Sequence, residues 1–345
     1  MRFLDSVLDR SVVLSFDRTG FRRHSARFEP RDLDVDLTGK VCLVTGANSG
    51  IGWATALALT RLGATVRLLC RSRERGEEAV EKLRAEAGSR HVHLDVVDMS
   101  SLDSVRAFAG RLRCRRVDVL VNNAGVLPES RQQTSSGLEL TLATNLVGPF
   151  LLTELLIPRL LEAKDARVIN VSSGGMYTQK LRVRQLEEVG PQDFDGVTAY
   201  ARTKRALVVL TELWAERHRG TSITFAGMHP GWADTPGVKN SLPRFQAVTR
   251  SILRTAEEGA DTVVWLAAAP GVAGRSGFFW FDRQIQPTHL LPFTKEDSAE
   301  RANLWEACET WATSCPVPRV QAEGRAAMQR AQRIRPAIAG RNVSP

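Results

Sequence analysis

Tyr200 and Lys204 are the two residues whose types and spacing most clearly suggest chemistry. They stand four positions apart in a stretch predicted to be helical, residues 199–219, so both side chains should lie on one helix face. A tyrosine with a pKa of ~10 is a poor proton carrier at neutral pH. A neighbouring ammonium favours the phenolate, so we expect Lys204 to lower the pKa of Tyr200 toward the range needed for acid/base catalysis.

Two further polar residues fit the same chemistry. Ser173 ends a predicted strand, residues 166–173, and its hydroxyl could bond a carbonyl oxygen as negative charge develops there. Ser172 is its competitor, and because strand side chains alternate between faces, only one of the two is expected to serve. Asn145 lies in a predicted apolar helix and needs partners there, either a structural hydrogen bond or the water of a proton relay.

A glycine-rich turn follows the first predicted strand. Gly46, Gly50 and Gly52 have the spacing GxxxGxG between a strand and a helix, where glycines let the backbone approach a pyrophosphate over the helix N-terminus. This context predicts a dinucleotide site. Its residues are Gly46, Asn48, Ser49, Gly50, Ile51 and Gly52.

The second predicted strand indicates which dinucleotide binds. NAD sites usually carry Asp or Glu about 20 residues beyond the glycines, where it bonds the ribose 2′-hydroxyl. Here the strand ends Leu-Leu-Cys and continues into Arg71, whose guanidinium suits a 2′-phosphate unless it simply ends the strand at the surface. We therefore expect NADP(H), with NAD(H) as the alternative.

Other candidate cofactor residues follow the third and fourth predicted strands. Asp98 could accept a hydrogen bond from the adenine amine, and Asn123, Ala124 and Gly125 could lie beside the ribose. Each could also be a plain turn. Open α/β sheets bind ligands at the carboxyl ends of their strands, and the shared position of these residues favours the functional interpretation.

These residues require a sheet that brings strand ends together. The strand candidates are residues 40–46, 65–70, 91–96, 117–123, 166–173, 222–228 and 277–281. The helix candidates between them include residues 101–112, 137–161, 199–219 and 256–268. Strands alternating with helices predict an α/β fold with a Rossmann-type doubly wound parallel sheet. We expect one catalytic domain at residues 39–285, with N- and C-terminal extensions.

The extensions differ in charge. Residues 1–38 balance seven arginines against seven acidic residues, and Phe3, Leu4, Val7 and Leu8 predict an amphipathic helix that packs on the domain or touches a membrane surface. Residues 286–313 are expected to be helical. The tail at 314–345 carries six arginines against one glutamate, about half of the net charge of +9. No aromatic residues accompany these arginines, so a solvated tail is favoured over a specific nucleic-acid site.

Composition excludes several classes of protein. The five scattered cysteines do not match a disulfide framework or a structural zinc site, and His91, His93 and His229 lack partners at ligand spacing, so no metal is expected. The sequence shows no evident membrane span, and the acidic Asp5 and Asp9 argue against a signal peptide. We expect a cytoplasmic protein.

In their order along the chain, these motifs resemble the short-chain dehydrogenase/reductase family over about residues 38–285. The resemblance implies that Ser173 orients a carbonyl, Tyr200 exchanges its proton, Lys204 bonds the nicotinamide ribose and Asn145 holds a relay water. It also implies that Pro230, Gly231 and Thr235 flank the cofactor, with Thr235 near the carboxamide, and that the protein forms a dimer or tetramer. The segments FDRTGF, VSSGGM, MHPGWADTPGV and FDRQIQPTHL are similar to one orphan subgroup of the family.

The substrate side is less well defined by the sequence. The interval between Ser173 and Tyr200 is long, so an insert near residues 176–197 should reshape the substrate mouth. The candidate pocket walls are Met176, Trp232, Leu242 and Phe245, although each could be ordinary packing. Apolar walls favour a lipophilic carbonyl or secondary alcohol as the small-molecule substrate.

Three functions are consistent with the sequence. The first is hydride transfer between NADPH and a carbonyl in the reductive direction. The second is a catalytically weak NADP(H)-binding regulatory or scaffold protein, which the intact Ser/Tyr/Lys set disfavours. The third is a polyanion or membrane binder acting through the basic tail, which deletion of residues 316–345 would separate from an enzyme.

Overall fold

A computed structural model of the chain describes residues 15–187, 190, 192–234 and 249–313. Three of the predicted features lie outside these residues. They are the N-terminal helix with Phe3, Leu4, Val7 and Leu8, the segment with Thr235, Leu242 and Phe245, and the basic tail at 314–345. The cytoplasmic location, the membrane contact and the domain boundaries stay predictions of the sequence.

Eight strands form one sheet in the order β3-β2-β1-β4-β5-β6-β7-β8. The strands are β1 Val41–Thr45, β2 Thr65–Cys70, β3 Val92–Val96, β4 Val119–Asn122, β5 Ala166–Val171, β6 Ile223–Met228, β7 Phe278–Phe281 and β8 Gln284–Gln286. All neighbouring strands pair in parallel except β7 and β8. The order reverses between β1 and β4, which creates a ligand-binding crevice at the carboxyl ends of the strands. This topology confirms the predicted α/β, Rossmann-type doubly wound fold.

Strand β8 is the antiparallel addition that the sequence analysis did not predict. It is only three residues long and follows a two-residue turn in which Asp282 and Arg283 both have positive φ, 47° and 60°. Two successive left-handed residues are characteristic of a tight hairpin turn, usually formed by Asn or Gly. A non-glycine pair therefore gave no hairpin signal in the sequence.

Helices cover both faces of the sheet. They are α1 Arg18–Ser25, α2 Gly50–Arg61, α3 Arg73–Ala87, α4 Leu102–Arg111, α5 Leu140–Leu161, α6 Arg184–Glu187, α7 Gly196–Arg217, α8 Ala256–Ala268 and α9 Ser298–Thr313. Helix α7 begins three residues before the predicted start because Asp195 caps it: the Asp195 side chain accepts a hydrogen bond from the Thr198 amide at 3.0 Å.

The central strands β1, β4, β5 and β6 are buried on both faces, as their continuous apolar sequences predict. One apolar core lies on the side of α4, α5, α7 and α9, and the other on the side of α2, α3 and α8. Helix α5 is long and apolar enough to cross a membrane, but 78% of its most apolar window is buried inside the protein. It is therefore a core helix, and it carries Asn145 toward the carboxyl edge of the sheet.

Candidate active site

The turn after β1 has a backbone that requires glycine. Gly46 and Gly50 have φ values of +65° and +56°, in the left-handed region that glycine adopts without strain. Gly52 is helical, but a Cβ atom there would lie 2.4 Å from the Gly46 carbonyl oxygen. These three glycines let the first strand turn sharply into α2, which is the geometry needed for a backbone that approaches a phosphate.

Thr45 and Asn123 hold the glycine turn against the end of β4. The Thr45 hydroxyl accepts hydrogen bonds from the backbone amides of Asn123 and Ala124, both at 2.9 Å. The Asn123 side-chain amide donates to the carbonyl oxygens of Thr45 and Gly46 at 2.9 and 3.3 Å. Asn123 thus shapes the predicted cofactor site, and Thr45, which the sequence analysis missed, is its fully buried partner.

The N-terminus of α2 fits a pyrophosphate. Within the described part of the chain, Ser49 at the N-cap makes no side-chain hydrogen bond to the helix, so no capping oxygen occupies the first-turn amides. Such amides and the positive end of the helix dipole bind anions. Asn48 is partly buried and Ser49 is exposed beside this end, whereas Ile51 packs toward α8, 3.3 Å from the Cβ position of Gly259.

Arg71 is exposed directly after β2, in the position predicted for reading a ribose phosphate. Cys70 precedes it and is buried beneath the glycine turn, where its thiol accepts hydrogen bonds from the backbone amides of Ala47 and Asn48. Burial raises the pKa of Cys70 to about 11, although those hydrogen bonds act in the opposite direction. A neutral thiol therefore lies where NAD sites carry a carboxylate.

Asp98 and Asn122 make local hydrogen bonds at their strand ends. One Asp98 oxygen accepts from the Ser100 amide at 2.9 Å and from the Ser100 hydroxyl at 2.7 Å. Asn122 is buried and donates to Thr153 and Asn170 at 3.1 and 2.8 Å. Asn122 is therefore structural, while the contact of Asp98 with adenine stays a prediction.

Ser173 and Tyr200 are brought together by β5 and α7. The two side chains form a hydrogen bond. Ser173 also caps the short 3₁₀ helix Gly174–Thr178, accepting a hydrogen bond from the Gly175 amide at 3.3 Å. Its competitor Ser172 is buried and donates to the Lys204 carbonyl oxygen at 3.0 Å. The alternation of strand side chains thus leaves Ser173, and not Ser172, beside Tyr200.

Lys204 is a buried cation that, among the described residues, donates a hydrogen bond to the Val171 carbonyl oxygen at 2.7 Å. Its side chain lies under Tyr200, with Nζ 5.5 Å from the centre of the ring. Burial lowers the pKa of Lys204 to about 8. Burial also raises the pKa of Tyr200 to about 12, and the hydrogen bond with Ser173 only partly opposes this. The pKa of Tyr200 therefore lies above its ordinary value and not below it as predicted, because desolvation of the phenol is the largest influence on it.

Asn145 occupies a π-helical turn, Ala143–Val147, within α5. Such turns are frequent at functional sites. The Asn145 side chain bonds both backbone groups of Val126, accepting from the amide at 2.8 Å and donating to the carbonyl at 3.0 Å, and it also donates to the Thr203 hydroxyl at 3.3 Å. A Cβ atom on Gly125 would lie 3.4 Å from Asn145 and 3.5 Å from Lys204 Nζ.

The Asn145 side chain therefore joins the segment after β4 to α7 next to Lys204, and its role in holding a relay water stays a prediction. The Thr203 hydroxyl continues this connection by donating to the Tyr200 carbonyl oxygen at 2.8 Å. Sequence reasoning did not identify Thr203. We refer to Asn145, Ser173, Tyr200 and Lys204 as the active-site cluster.

The loop after β6 faces the same edge. Pro230, Gly231 and Trp232 are partly exposed there. Met176, by contrast, is fully buried, and its sulfur lies 3.5 Å from the guanidinium of Arg205. The prediction that Met176 lines a pocket is wrong in this structure, because the 3₁₀ helix after Ser173 turns its side chain into the core.

Phe16 and Arg254 contact this loop and were not predicted. The Trp232 amide donates to the Phe16 carbonyl oxygen at 2.8 Å, and the Arg254 amide donates to the Trp232 carbonyl oxygen at 2.7 Å. One signal was present in the sequence: the tripeptide Phe-Asp-Arg occurs at residues 16–18 and again at 281–283. The structure brings the two copies together.

Comparison with known proteins agrees with this geometry. The short chain dehydrogenase family model matches residues 40–244. Dehydrogenase/reductase SDR family member 12 from Bos taurus is 44% identical, covering 85% of this chain and 93% of that protein, which confirms the similarity to the member-twelve subgroup. Retinol dehydrogenase 12 from Bos taurus is 37% identical, covering 80% of this chain and 87% of that protein.

A solved structure shows the same architecture. The Pseudomonas aeruginosa RhlG/NADP active-site complex is 27% identical, with a TM-score of 0.58, over 73% of this chain and 96% of that one. The chain belongs to the short-chain dehydrogenase/reductase family, whose members are NAD(P)-dependent oxidoreductases that act on small-molecule substrates.

Proposed function

We propose that this protein reduces a lipophilic aldehyde or ketone with NADPH. The observation that carries the proposal is the pairing of Ser173 with Tyr200 above the buried Lys204, at the strand edge where the glycine turn lies. A phenol with a pKa of about 12 is protonated at neutral pH, which is the form that a reductase needs at the start of its cycle.

NADPH supplies a hydride to the carbonyl carbon when it is bound. The Ser173 hydroxyl donates a hydrogen bond to the carbonyl oxygen and so stabilises the charge that develops on it. The Tyr200 hydroxyl gives its proton to that oxygen, which completes the alcohol. The Lys204 ammonium stabilises the phenolate that remains, and the segment held by Asn145 is the place for the relay water that returns the proton.

The preference for NADP(H) is supported by Arg71 and by the absence of a carboxylate at the end of β2. The RhlG complex that shares the fold holds NADP. A lipophilic substrate is supported by the partly exposed Trp232 beside the site, and by a relative whose name identifies it as a retinol dehydrogenase. We propose all-trans-retinal and a medium-chain aldehyde such as nonanal as the first probes.

The test measures kcat/KM for both probes with NADPH and with NADH, for the wild type and for Arg71→Gln. A charge-assisted hydrogen bond is worth roughly 1.5–3 kcal/mol, so Arg71→Gln should weaken NADPH about tenfold or more while leaving NADH within about twofold. Arg90→Gln is the matched control, because Arg90 is an exposed arginine just before the amino end of β3. The cofactor is expected at the carboxyl ends of the strands, on the other side.

Equal loss with both cofactors would contradict the role of Arg71. Tight NADPH binding without turnover of either probe, or of a wider carbonyl panel, would favour the scaffold function instead. Alcohol oxidation with NADP⁺ that is faster than carbonyl reduction at neutral pH would overturn the proposed direction.

A further inference from the structure

The segment before the catalytic domain is built into the substrate side of the site. The Phe16 ring packs edge-on against His229 at 4.5 Å and Phe281 at 5.1 Å, and it meets Trp232 at 6.3 Å between ring centres. It also lies directly against Gly174, where an added Cβ would be only 2.6 Å from the ring. Because Gly174 follows Ser173, Phe16 supports the turn that carries the carbonyl-binding hydroxyl.

Arg254 fixes this segment in place. Its guanidinium is 1% exposed and donates to the carbonyl oxygens of Ser15, Phe16 and Asp17 at 2.9, 3.0 and 3.1 Å. It also forms a two-point salt bridge with Asp282 at 2.6 and 2.8 Å. One buried side chain thus joins the N-terminal segment to the hairpin between β7 and β8.

Asp282 and Gly231 complete the arrangement. Asp282 contacts His24 of α1 at 2.6 Å, so its carboxylate has partners on two elements. Gly231 has a φ of +73°, and a Cβ there would lie 2.5 Å from Arg254 and 2.6 Å from the Phe16 carbonyl oxygen. The loop after β6 can approach the N-terminal segment this closely only with glycine at position 231.

We call Phe16, Asp17, Arg254 and Asp282 the N-terminal clasp. All four lie outside the region that matches the family model, which spans residues 40–244. The clasp touches the catalytic region where the Phe16 ring meets Gly174 and His229, and where the backbone of Trp232 pairs with Phe16 and Arg254. These contacts lie next to the candidate substrate-binding residues Ser173 and Trp232 and away from the glycine turn.

We propose that the N-terminal clasp sets the substrate-binding side of the active site, with Phe16 as a positioning residue for Ser173 and Trp232. The kinetic part of this inference rests on the proposed carbonyl reduction. Displacing a substrate-positioning group by about 1 Å can cost on the order of 10²-fold in rate. A ring that fixes the backbone beside Ser173 and Trp232 therefore affects carbonyl binding and leaves cofactor binding unaltered.

The experiment compares Phe16→Ala, Phe16→Leu, Gly174→Ala and the double variant Phe16→Ala/Gly174→Ala in the full chain, using nonanal and NADPH. Phe16→Ala should lower kcat/KM about 10- to 100-fold, mainly through KM for the aldehyde, and leave the NADPH Kd within about twofold. Phe16→Leu should retain more activity. The double variant should recover activity relative to Gly174→Ala, because the methyl group then occupies space that the ring vacates.

Phe28→Ala is the control, since this ring lies in the same N-terminal region but contacts Phe21 and Arg283. A Phe16→Ala protein that loses thermal stability yet keeps kcat/KM within twofold would overturn the inference, as would additive losses in the double variant.

If the wild type turns over no carbonyl, the proposed function is wrong, but the clasp can still be tested. The thermal unfolding midpoints of the same variants then report whether Phe16 and Gly174 interact. Non-additive shifts for Phe16→Ala and Gly174→Ala then support it, and additive shifts overturn it.

Discussion

Arg254 and Lys204 are both buried cations, and the residues around them compensate the two charges to different extents. Arg254 is 1% exposed, bonds both oxygens of a carboxylate and satisfies three backbone carbonyls. Lys204 is 2% exposed, and within the described part of the chain its acceptor is one backbone carbonyl oxygen. The first charge is compensated within the fold, whereas the second has no carboxylate partner among the residues that the structure describes.

The difference appears in the ionisation of nearby groups. Burial alone would raise the pKa of Asp282, but the hydrogen bonds from His24 and Arg254 bring that pKa below its usual value. Nothing comparable offsets the burial of Lys204, whose pKa falls to about 8. A fully paired buried charge is costly to break by removing one partner, while an incompletely paired one is typical of a site prepared for a ligand or for charge that forms during a reaction.

The largest predicted effect is a loss of activity on substitution of a tyrosine. The chain has two tyrosines, one beside Lys204 and one near Arg254 and its partners. Tyr200 belongs to the active-site cluster, whereas Tyr177 packs near the N-terminal clasp and donates to the Pro287 carbonyl oxygen at 3.1 Å. Tyr200→Phe removes the proton donor, so we expect kcat for carbonyl reduction to fall about 10³-fold while NADPH binding persists. Stopped-flow or steady-state kinetics with nonanal, together with an NADPH titration, would measure this.

Tyr177→Phe is the matched control. It loses one hydrogen bond, worth about 1 kcal/mol of stability, and should retain activity within a few fold. Comparable losses of activity in the two variants would mean that the region near the clasp contributes to the chemistry directly, and the distinction between the two regions would then fail.

The next effect in size is the loss of Arg254. Arg254→Met leaves Asp282 buried without its main partner and frees three carbonyl oxygens, so the free energy of unfolding should fall by about 3–5 kcal/mol. Chemical denaturation at neutral pH would measure it. The double variant Arg254→Met/Asp282→Asn should lose less than the sum of the two single variants, because neither charge is then stranded.

Arg67→Met provides the control for this prediction. Arg67 also makes a two-point salt bridge, with Asp95 at 2.7 and 3.0 Å, but its side chain is 26% exposed. Water can replace part of that interaction, so the loss should be smaller. An Arg254→Met loss no greater than that of Arg67→Met would show that the clasp is not anchored by its buried charge.

The parts of the molecule that could be predicted from sequence are those whose structure is determined by residues next to each other in the chain. The boundaries of β2 at residues 65–70 and of the helix at 256–268 agree with the prediction, because each is set by a continuous apolar pattern and by neighbouring turn residues or caps. The glycine turn was likewise predictable, since strand, glycines and helix are contiguous. Tyr200 and Lys204 were identified because one helix face carries both.

The clasp could not be predicted in this way. Phe16 and Arg254 are 238 residues apart in the sequence, and Arg254 and Asp282 are 28 apart. Only the fold brings them together. The burial of Met176 depends on a 3₁₀ turn that Ser173 caps, which a pattern of apolar residues does not reveal. The pKa of Tyr200 was misjudged for a similar reason: spacing shows that Lys204 is near, but desolvation depends on every element packed around both residues.

The smallest predicted effect is a pH dependence of the unfolding free energy. It tests whether the buried charge of Lys204 is left uncompensated in the folded protein. Its pKa is about 8 in the folded protein and 10.5 in its ordinary state, so between these values the unfolded chain binds more protons than the folded one. The contribution of Lys204 to stability therefore increases with pH across this window in the wild type, and this contribution is absent from Lys204→Met. The difference in unfolding free energy between the two proteins should change by on the order of 3 kcal/mol between pH 7 and pH 10.5.

Urea denaturation of both proteins at several pH values in this range would measure the change, with Lys82→Met as a variant of an exposed lysine. At pH 7 the ammonium is charged in both states, and the wild type carries the whole cost of burying it. If the difference between wild type and Lys204→Met stays constant with pH, the ammonium must be stabilised in the fold as well as Arg254 is, and the contrast between the two cations disappears. A difference that grows as predicted would mean that the fold bears a cost at Lys204 which it avoids at Arg254, as expected where the charge is kept for a developing phenolate.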